Sequence, residues 1–416
     1  MTAVGERTGI GAVAGLRLAI LALGTFVIST GTFVLAGLLP AIQRELDVSA
    51  AQVGRLTFAF TLAYAVWAPL SGVLTRRWDR RLTLVAGLTL FAAGTALTAM
   101  ASSYSDMTLS RVLAGAGAGM FTPAASASAV ELVPVRWRAR AVAAVIGGLA
   151  AATVLAVPVG NVVGELAGFR PVLWSVVGLS AAACLALAAL PALTPAPGSG
   201  ARAEVVDCAR IAGPLLLVSL LLSVADFAVY TYVVPLLDHL ISAGPAVVAG
   251  LLFLYGCAGV AGNLLGGQLA DRWGPRRTVV TSLVLLGLST AAMPGARHLA
   301  LVAVVVLVWG VSGWMVVPAL QSELLTLRPA AAGLLATANA SVIYAGMALG
   351  SLLGGVVLSV GSAAALGPLG AAFALAALLL HLTGHRRATR SVAFTETPVL
   401  EGDSVLKGAC ADGLKR

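Results

Sequence analysis

Gly267-Gln268-Leu269-Ala270-Asp271-Arg272-Trp273-Gly274-Pro275-Arg276-Arg277 closes one long apolar run, and Gly72-Val73-Leu74-Thr75-Arg76-Arg77-Trp78-Asp79-Arg80-Arg81 closes another 195 positions earlier. At that single offset Leu74 meets Leu269, Arg77 meets Arg272, Trp78 meets Trp273 and Arg81 meets Arg276. The register holds outward in both directions. Pro40 pairs with Pro235, Leu56 with Leu251, Phe58 with Phe253, Gly115 with Gly310, Met120 with Met315 and Pro123 with Pro318. Composition alone explains shared glycines, but not Trp, Arg and Pro repeating at one fixed spacing, so the chain is read as a tandem duplication. Farther on the register slips by a few residues, and both halves still carry a ladder of small residues, Gly160/Gly164/Gly168 and Gly346/Gly350/Gly354.

Of the 416 residues 59% are hydrophobic and 10% charged, against roughly a quarter charged in a soluble domain. With a mean hydropathy of +0.98, there is more apolar surface than globular cores can bury, which excludes a water-soluble fold. Twelve apolar runs, each about the 20 residues needed to cross a bilayer, are expected near 17–39, 51–75, 82–101, 107–131, 138–163, 170–193, 210–236, 246–270, 277–295, 298–323, 331–358 and 362–384. The expected fold is therefore an all-α membrane protein of two pseudo-symmetric six-helix bundles, 1–193 and 210–384. A Pro- and Gly-rich cytoplasmic linker at 194–209 joins them, and a polar tail at 385–416 is expected to be disordered.

Twenty-six basic residues against 17 acidic give a net charge of +9. The positives sit in short loops rather than on one continuous face, which argues for a topology signal and against nucleic-acid binding. With the N-terminus inside, 21 Arg and Lys fall on the cytoplasmic side and four (Arg44, Arg55, Arg170 and Arg297) on the other, so both termini are expected in the cytoplasm. Arginine outnumbers lysine 24 to 2, a bias that hints at a GC-rich bacterial genome. The four cysteines share no close spacing and are expected as free thiols.

The 267–277 stretch resembles the loop signature G-x-L-A-D-R-x-G-R-R of the major facilitator superfamily. In that family the Asp and Arg of this loop make charge contacts that lock one conformation and break in the other. The resemblance implies a conformational switch at Gly267, Asp271, Arg272, Gly274 and Arg276, and in the first half at Gly72, Arg77, Asp79 and Arg81. The first loop departs from the pattern: Arg76 stands where the family has Asp, and Asp79 where it has Gly. Leu109-Ser110-Arg111 followed by the run to Gly119 resembles a second signature, whose intramembrane Arg is linked to proton transfer. Val157-Pro158-Val159-Gly160 and Gly164 are similar to the motif of twelve-span drug:proton antiporters, in the form of the chloramphenicol-efflux and arabinose-efflux branch. Pro158 removes a helix hydrogen bond, while Gly160 and Gly164 admit a neighbouring helix, a pattern that also serves tight packing without coupling. Many relatives carry a carboxylate near Thr32; this chain does not.

Asp226 is the one acid deep in a span, about ten residues from either end of the seventh run. An ionised carboxylate there costs several kcal/mol, so it should face a polar cavity or carry a proton; a structural hydrogen bond to a neighbouring helix is the competing reading. Ser219, Ser223 and Tyr230 lie on its face of the helix. The resemblance places spans one, four, seven and ten around a central cavity, bringing Asp226 and Arg111 together as proton-coupling residues. Ser223, Tyr230, Thr122, Trp314 and Gln321 are then candidates for binding substrate. His381 and His385, at the inner end of span twelve, are read as interfacial, and no metal or cofactor is expected.

The implied function is secondary active transport by alternating access: proton-coupled efflux of a small amphipathic or antibiotic-like compound across a bacterial cytoplasmic membrane, by a monomer. The alternative is a sugar or metabolite permease of the same fold. No nucleophile and base cluster of an intramembrane enzyme is visible.

Overall fold

A computed structural model describes residues 12–134, 137–189, 202–327 and 331–395. Its main elements are helices α1 (Ala12–Leu46), α2 (Ala50–Leu74), α3 (Arg80–Met100), α4 (Tyr104–Glu131), α5 (Arg138–Ala151), α6 (Val157–Ala167), α7 (Phe169–Ala188) and α8 (Arg202–Tyr230). They continue as α9 (Val233–Ile241), α10 (Pro245–Trp273), α11 (Pro275–Ala292), α12 (Leu299–Leu327), α13 (Ala332–Val360) and α14 (Leu366–Thr395). Among the described residues, eleven helical segments are long and apolar enough to cross a membrane. The remaining span is α4, with 28 residues, whose Asp106, Arg111, serines and glycines lower its hydropathy but not its reach.

Two spans are not the uninterrupted helices expected. Span five is α5, a π-helical turn at Ala152–Ala156, and α6. The turn lies just before Pro158, which has no N–H to give to the carbonyl one turn back. Span seven breaks at Thr231–Tyr232 between α8 and α9, where Pro235 withholds its N–H in the same way. α8 already begins at Arg202, inside the expected linker, and α14 runs to Thr395, into the expected tail. Linker residues 194–201 and tail residues 396–416 lie outside the described residues, as do Arg7, Arg136 and Arg328.

Local chemistry sets the helix starts. Ser49 and Gln52 form a reciprocal capping box on α2, and Ser103 caps α4, each satisfying amides with no partner inside the helix. The two halves begin their third helices differently. Asp79 accepts from the backbone N–H of Arg81 at 2.9 Å, while its repeat counterpart Gly274 turns the chain at φ +85 with Pro275 following at the first helical position. Where the first half departs from the loop signature, a carboxylate cap replaces a left-handed glycine.

Within the first half α1, α2, α3 and α4 pack with α5, α6 and α7; within the second, α8, α10, α11, α12, α13 and α14 pack together. The halves meet along α2 with α13, and along α10 with the π turn and α6. Glycines allow close approach: a Cβ on Gly160 would meet Val34 at 2.4 Å and one on Gly164 would meet Leu38 at 2.4 Å, while Gly346, Gly350 and Gly354 lie on carbonyls of α8. The matching ladders thus seat α6 on α1 and α13 on α8.

Apolar packing is distributed unevenly between the two ends. At the end away from the arginine-rich loops, here the far face, one buried cluster joins both halves through Phe33, Leu38, Leu56, Tyr230, Leu236 and Val248, and it continues through the second half as far as Ala270 and Val279. Toward the arginine-rich face the first half has a cluster of its own, shared only with residues of α13 such as Tyr344, while the second half keeps the lower part of the joint cluster and a small group of Ala212, Leu324 and Leu335. The bundles are fused at the far face and distinct at the other.

Candidate functional site

The far-face seal ends in a nest of aromatic rings, and Asp226 lies under it. Phe33 of α1 contacts Phe227, Tyr230 and Trp314 with ring centroids 5.8, 5.7 and 6.2 Å apart. Tyr230 contacts Tyr255 at 5.2 Å and Trp309 at 6.4 Å, and those two lie 4.5 Å apart. Such tilted and edge contacts favour the ring quadrupoles and add to simple area burial. The Tyr230 hydroxyl donates to the Phe33 carbonyl across the two halves at 3.4 Å.

Asp226 is half-buried. Trp309 donates its indole N–H to Asp226 Oδ1 at 2.7 Å, and the Tyr255 hydroxyl donates at 3.3 Å to Oδ2 and 3.4 Å to Oδ1. A Cβ on Gly313 would lie 3.4 Å from Oδ1, so the small residue leaves room for the carboxyl. A charged acceptor makes these bonds stronger than a neutral one does. The carboxyl is thereby tied directly to two rings of the nest.

Arg111 is placed elsewhere. It is 0% exposed, its Nη2 donates to the Gly31 carbonyl at 2.9 Å, and its guanidinium lies 4.2 Å from the centroid of Phe60. None of the described cavities is lined by both Arg111 and Asp226, the pairing that the family resemblance implied. The repeat relates the two nonetheless: Gly31 corresponds to Asp226 and Phe60 to Tyr255. Equivalent depths of the two bundles thus hold a cation on a backbone carbonyl in one and an anion under N–H and O–H donors in the other.

The expected polar stripe on α8 is divided among different neighbours. Ser219 donates to Asn339 of α13 at 2.6 Å, and Ser223 returns its hydroxyl to the Ser219 carbonyl at 2.8 Å. A Cβ on Gly346 would meet Ser223 at 2.7 Å, so Ser223 faces helix packing rather than a cavity. Thr122 returns its hydroxyl to the Ala118 carbonyl at 3.1 Å, and the ring of Tyr64 stacks on Tyr344 across the halves, centroids 3.4 Å apart and planes 10° apart. Thr32 likewise donates to the Ile28 carbonyl of its own helix at 2.9 Å. Trp314 lines a cleft of about 260 Å³ between α5 and α10, together with Thr153 and Asn263; Gln321 is half-buried on the same helix.

Among the switch residues, Pro158, Gly160 and Gly164 are buried on α6. Gly72 and Gly267 have open space where a Cβ would stand. Arg77, Asp271, Arg272 and Arg276 are exposed and Gly274 is half-buried; among the described ion pairs none includes these charged residues. In the first half Arg80 pairs with Glu131 at 2.8 Å, and Arg81 donates to the Ala188 carbonyl at 3.2 Å. His381, read as interfacial, is instead buried, with a side chain 1% exposed and 3.7 Å from Glu323: a carboxylate on α12 draws it inward. The side chain of His385 lies outside the described residues. Cys184 and Cys257 are free thiols.

Phe33, Tyr255 and Trp309 were not singled out from sequence, because an aromatic ring in a span ordinarily signals packing. A usable signal existed in the repeat, where Trp309 falls opposite Ala114 and Tyr255 opposite Phe60. A polar handle appears only in the half that carries the acid.

Two tandem bundles of membrane-spanning helices, meeting around a half-buried carboxylate, define a multi-pass membrane protein with the architecture of secondary transporters. A family model described as the Major Facilitator Superfamily matches residues 21–351 and 216–407, and the chain belongs to that superfamily of transporters. It is 35% identical over 379 residues to the "Inner membrane transport protein YdhP" of Escherichia coli (strain K12), covering 89% of this chain and 96% of that one. It is 33% identical over 384 residues to a "Chloramphenicol resistance protein" of Streptomyces lividans, covering 88% and 94%. Among solved structures, a bacterial homologue of the human lysosomal transporter Spinster, in an inward-facing and unoccupied conformation, superposes with a TM-score of 0.71 at 16% identity, covering 91% of this chain and 98% of that one. That likeness concerns the fold.

Proposed function

We propose that the protein is a proton-coupled exporter of small amphipathic, drug-like compounds, resident as a monomer in a bacterial cytoplasmic membrane with both termini inside. The observation that carries this reading is the carboxyl of Asp226, bonded by Trp309 and Tyr255 immediately beneath the rings that join the two bundles. The relatives named for inner-membrane transport and for chloramphenicol resistance support the direction and the class of cargo.

In this reading the arginine-rich face is cytoplasmic and the described state is closed to the outside. Cargo enters the cleft beside Trp314, whose wall is mostly apolar with Thr153 and Asn263 as polar points; that lining suits an amphipathic compound better than a sugar, which needs several hydrogen-bonding side chains. As cargo binds, Asp226 releases its proton to the cytoplasm and gains the charge that Trp309 and Tyr255 bond, strengthening both contacts. The two donors draw toward the carboxyl, Tyr230, in ring contact with both, is pulled off Phe33, and the far face opens; a proton taken up from outside discharges Asp226 and lets the seal reform. Arg111, fixed in the other bundle on the Gly31 carbonyl, holds α1 against α4 while this happens. The exposed loop charges Arg77, Asp271, Arg272 and Arg276 pair in the opposite state, when the cytoplasmic ends come together. Of the five candidate substrate residues, Tyr230 and Trp314 face the path, while Thr122, Ser223 and Gln321 carry no assigned contact with cargo.

The test is export by proteoliposomes carrying an imposed proton gradient, with a protonophore control and a substrate taken from a susceptibility panel in a pump-deficient host. Asp226→Asn should reduce gradient-driven export to background while the protein still reaches the membrane. Export at wild-type rate by that variant removes Asp226 from the mechanism.

A further inference from the structure

We propose a second ligand site on the far face, for a small protonated amine held between the two bundles. A cavity of about 270 Å³ opens there between α1, α6, α9 and α10, somewhat smaller than the pockets that take drug-sized ligands. Gln43, Asn161, Glu165 and Asp238 supply its polar wall, and Pro40, Pro235 and Pro245 much of the rest. No basic side chain lines it, and the prolines have no N–H to offer. The wall is therefore rich in acceptors and poor in donors.

Two of these acceptors are uncompensated. Glu165 is neutralised by Arg44 at 2.8 Å, but Asp238 takes part in no ion pair among the described residues, and it stands in the last turn of α9, where the helix dipole presents its negative end. Asn161 is 1% exposed. Its Nδ2 donates to the Gly37 carbonyl at 3.0 Å, which commits the amide's donor end and leaves Oδ1 buried without a partner. A buried acceptor left unbonded costs about 1–3 kcal/mol. A ligand with a positive charge, N–H donors and a short apolar body meets each of these features at once.

The walls come from both halves, α1 and α6 from one, α9 and α10 from the other. The site is whole only while the far face is closed, so an amine bound there opposes its opening. The inference does not rest on the proton-coupling role of Asp226, and the test keeps the two apart. The full chain, purified in detergent, is melted across a titration of benzylammonium at constant ionic strength, with benzyl alcohol as the uncharged control and benzyltrimethylammonium as the control lacking N–H. Benzylammonium alone should raise the melting temperature saturably. Asp238→Asn should weaken the apparent affinity at least tenfold and Glu165→Gln should weaken it too, in the Asp226→Asn background as well as in the native one. The proposal fails if benzylammonium gives no saturable rise, if either control matches it, or if Asp238→Asn and Glu165→Gln both titrate as wild type.

Discussion

Trp309 and Tyr255 make bonds of different quality to the same carboxyl, and the difference is measurable. The indole bond at 2.7 Å is short, while the phenol bonds at 3.3 and 3.4 Å are long. Hydrogen bonds to a charged group contribute about 1.5–3 kcal/mol, so Trp309→Phe should slow gradient-driven export about tenfold. Tyr255→Phe should cost only about two- to threefold, being nearer the weak end of the hydrogen-bond range. Equal losses in the two variants would show that the indole bond has no special part. Arg111 offers a test of geometry rather than charge. Its planar guanidinium both lies on Phe60 and reaches the Gly31 carbonyl, and a lysine ammonium cannot do both. Arg111→Lys should lower stability by about 1–3 kcal/mol, read as an earlier thermal melt in detergent. Asp226 was legible in the sequence because a lone acid in an apolar run has no ordinary explanation. The role of Ser223 was not, because helical spacing places a hydroxyl on a face without saying which neighbour fills that face; here Gly346 does.

Where whole elements meet, the glycines divide into those that touch and those that do not. A Cβ on Gly256 would come within 2.6 Å of the Thr153 carbonyl, in the π turn of the other half, whereas one on Gly267 would meet nothing within 4 Å. Gly256→Ala should therefore force α10 away from span five and reduce export severely in protein that still inserts. Gly267→Ala should leave export unchanged and favour its helix by about 0.4–1 kcal/mol. The pair is read by expression level and transport rate together; normal export from Gly256→Ala would mean the contact between π turn and α10 can yield. The spans themselves were largely visible as apolar runs. Their interruptions at Ala152–Ala156 and Thr231–Tyr232 were not, although Pro158 and Pro235 stand just beyond. A proline in a span announces a missing N–H, but packing on neighbouring helices decides whether the chain kinks, widens into a π turn or parts.

For the whole molecule, the merged apolar core at one face and the separated cores at the other describe one end of a cycle. Ile146 and Leu264 are exposed on opposite walls of the cleft between α5 and α10. Spin labels at these two positions should draw closer by several ångström when cargo turns the transporter to its other face, and should move apart again in acid, as seen in pulsed dipolar distance distributions. A distribution that stays fixed under acid, neutral and substrate conditions would count against rocking bundles. The duplication read from Trp78 and Trp273 made this architecture legible, yet the two halves are not interchangeable. In the first, Gly119 lies on the carbonyl of Tyr64; in the second, at the equivalent positions, Gly259 lies under the ring of Trp314. Bulk and hollow have traded helices between the copies. Running the cycle backwards therefore does not amount to exchanging the roles of the halves, and the two faces of this transporter should differ in shape, in the ease with which each opens, and in the molecules each will admit.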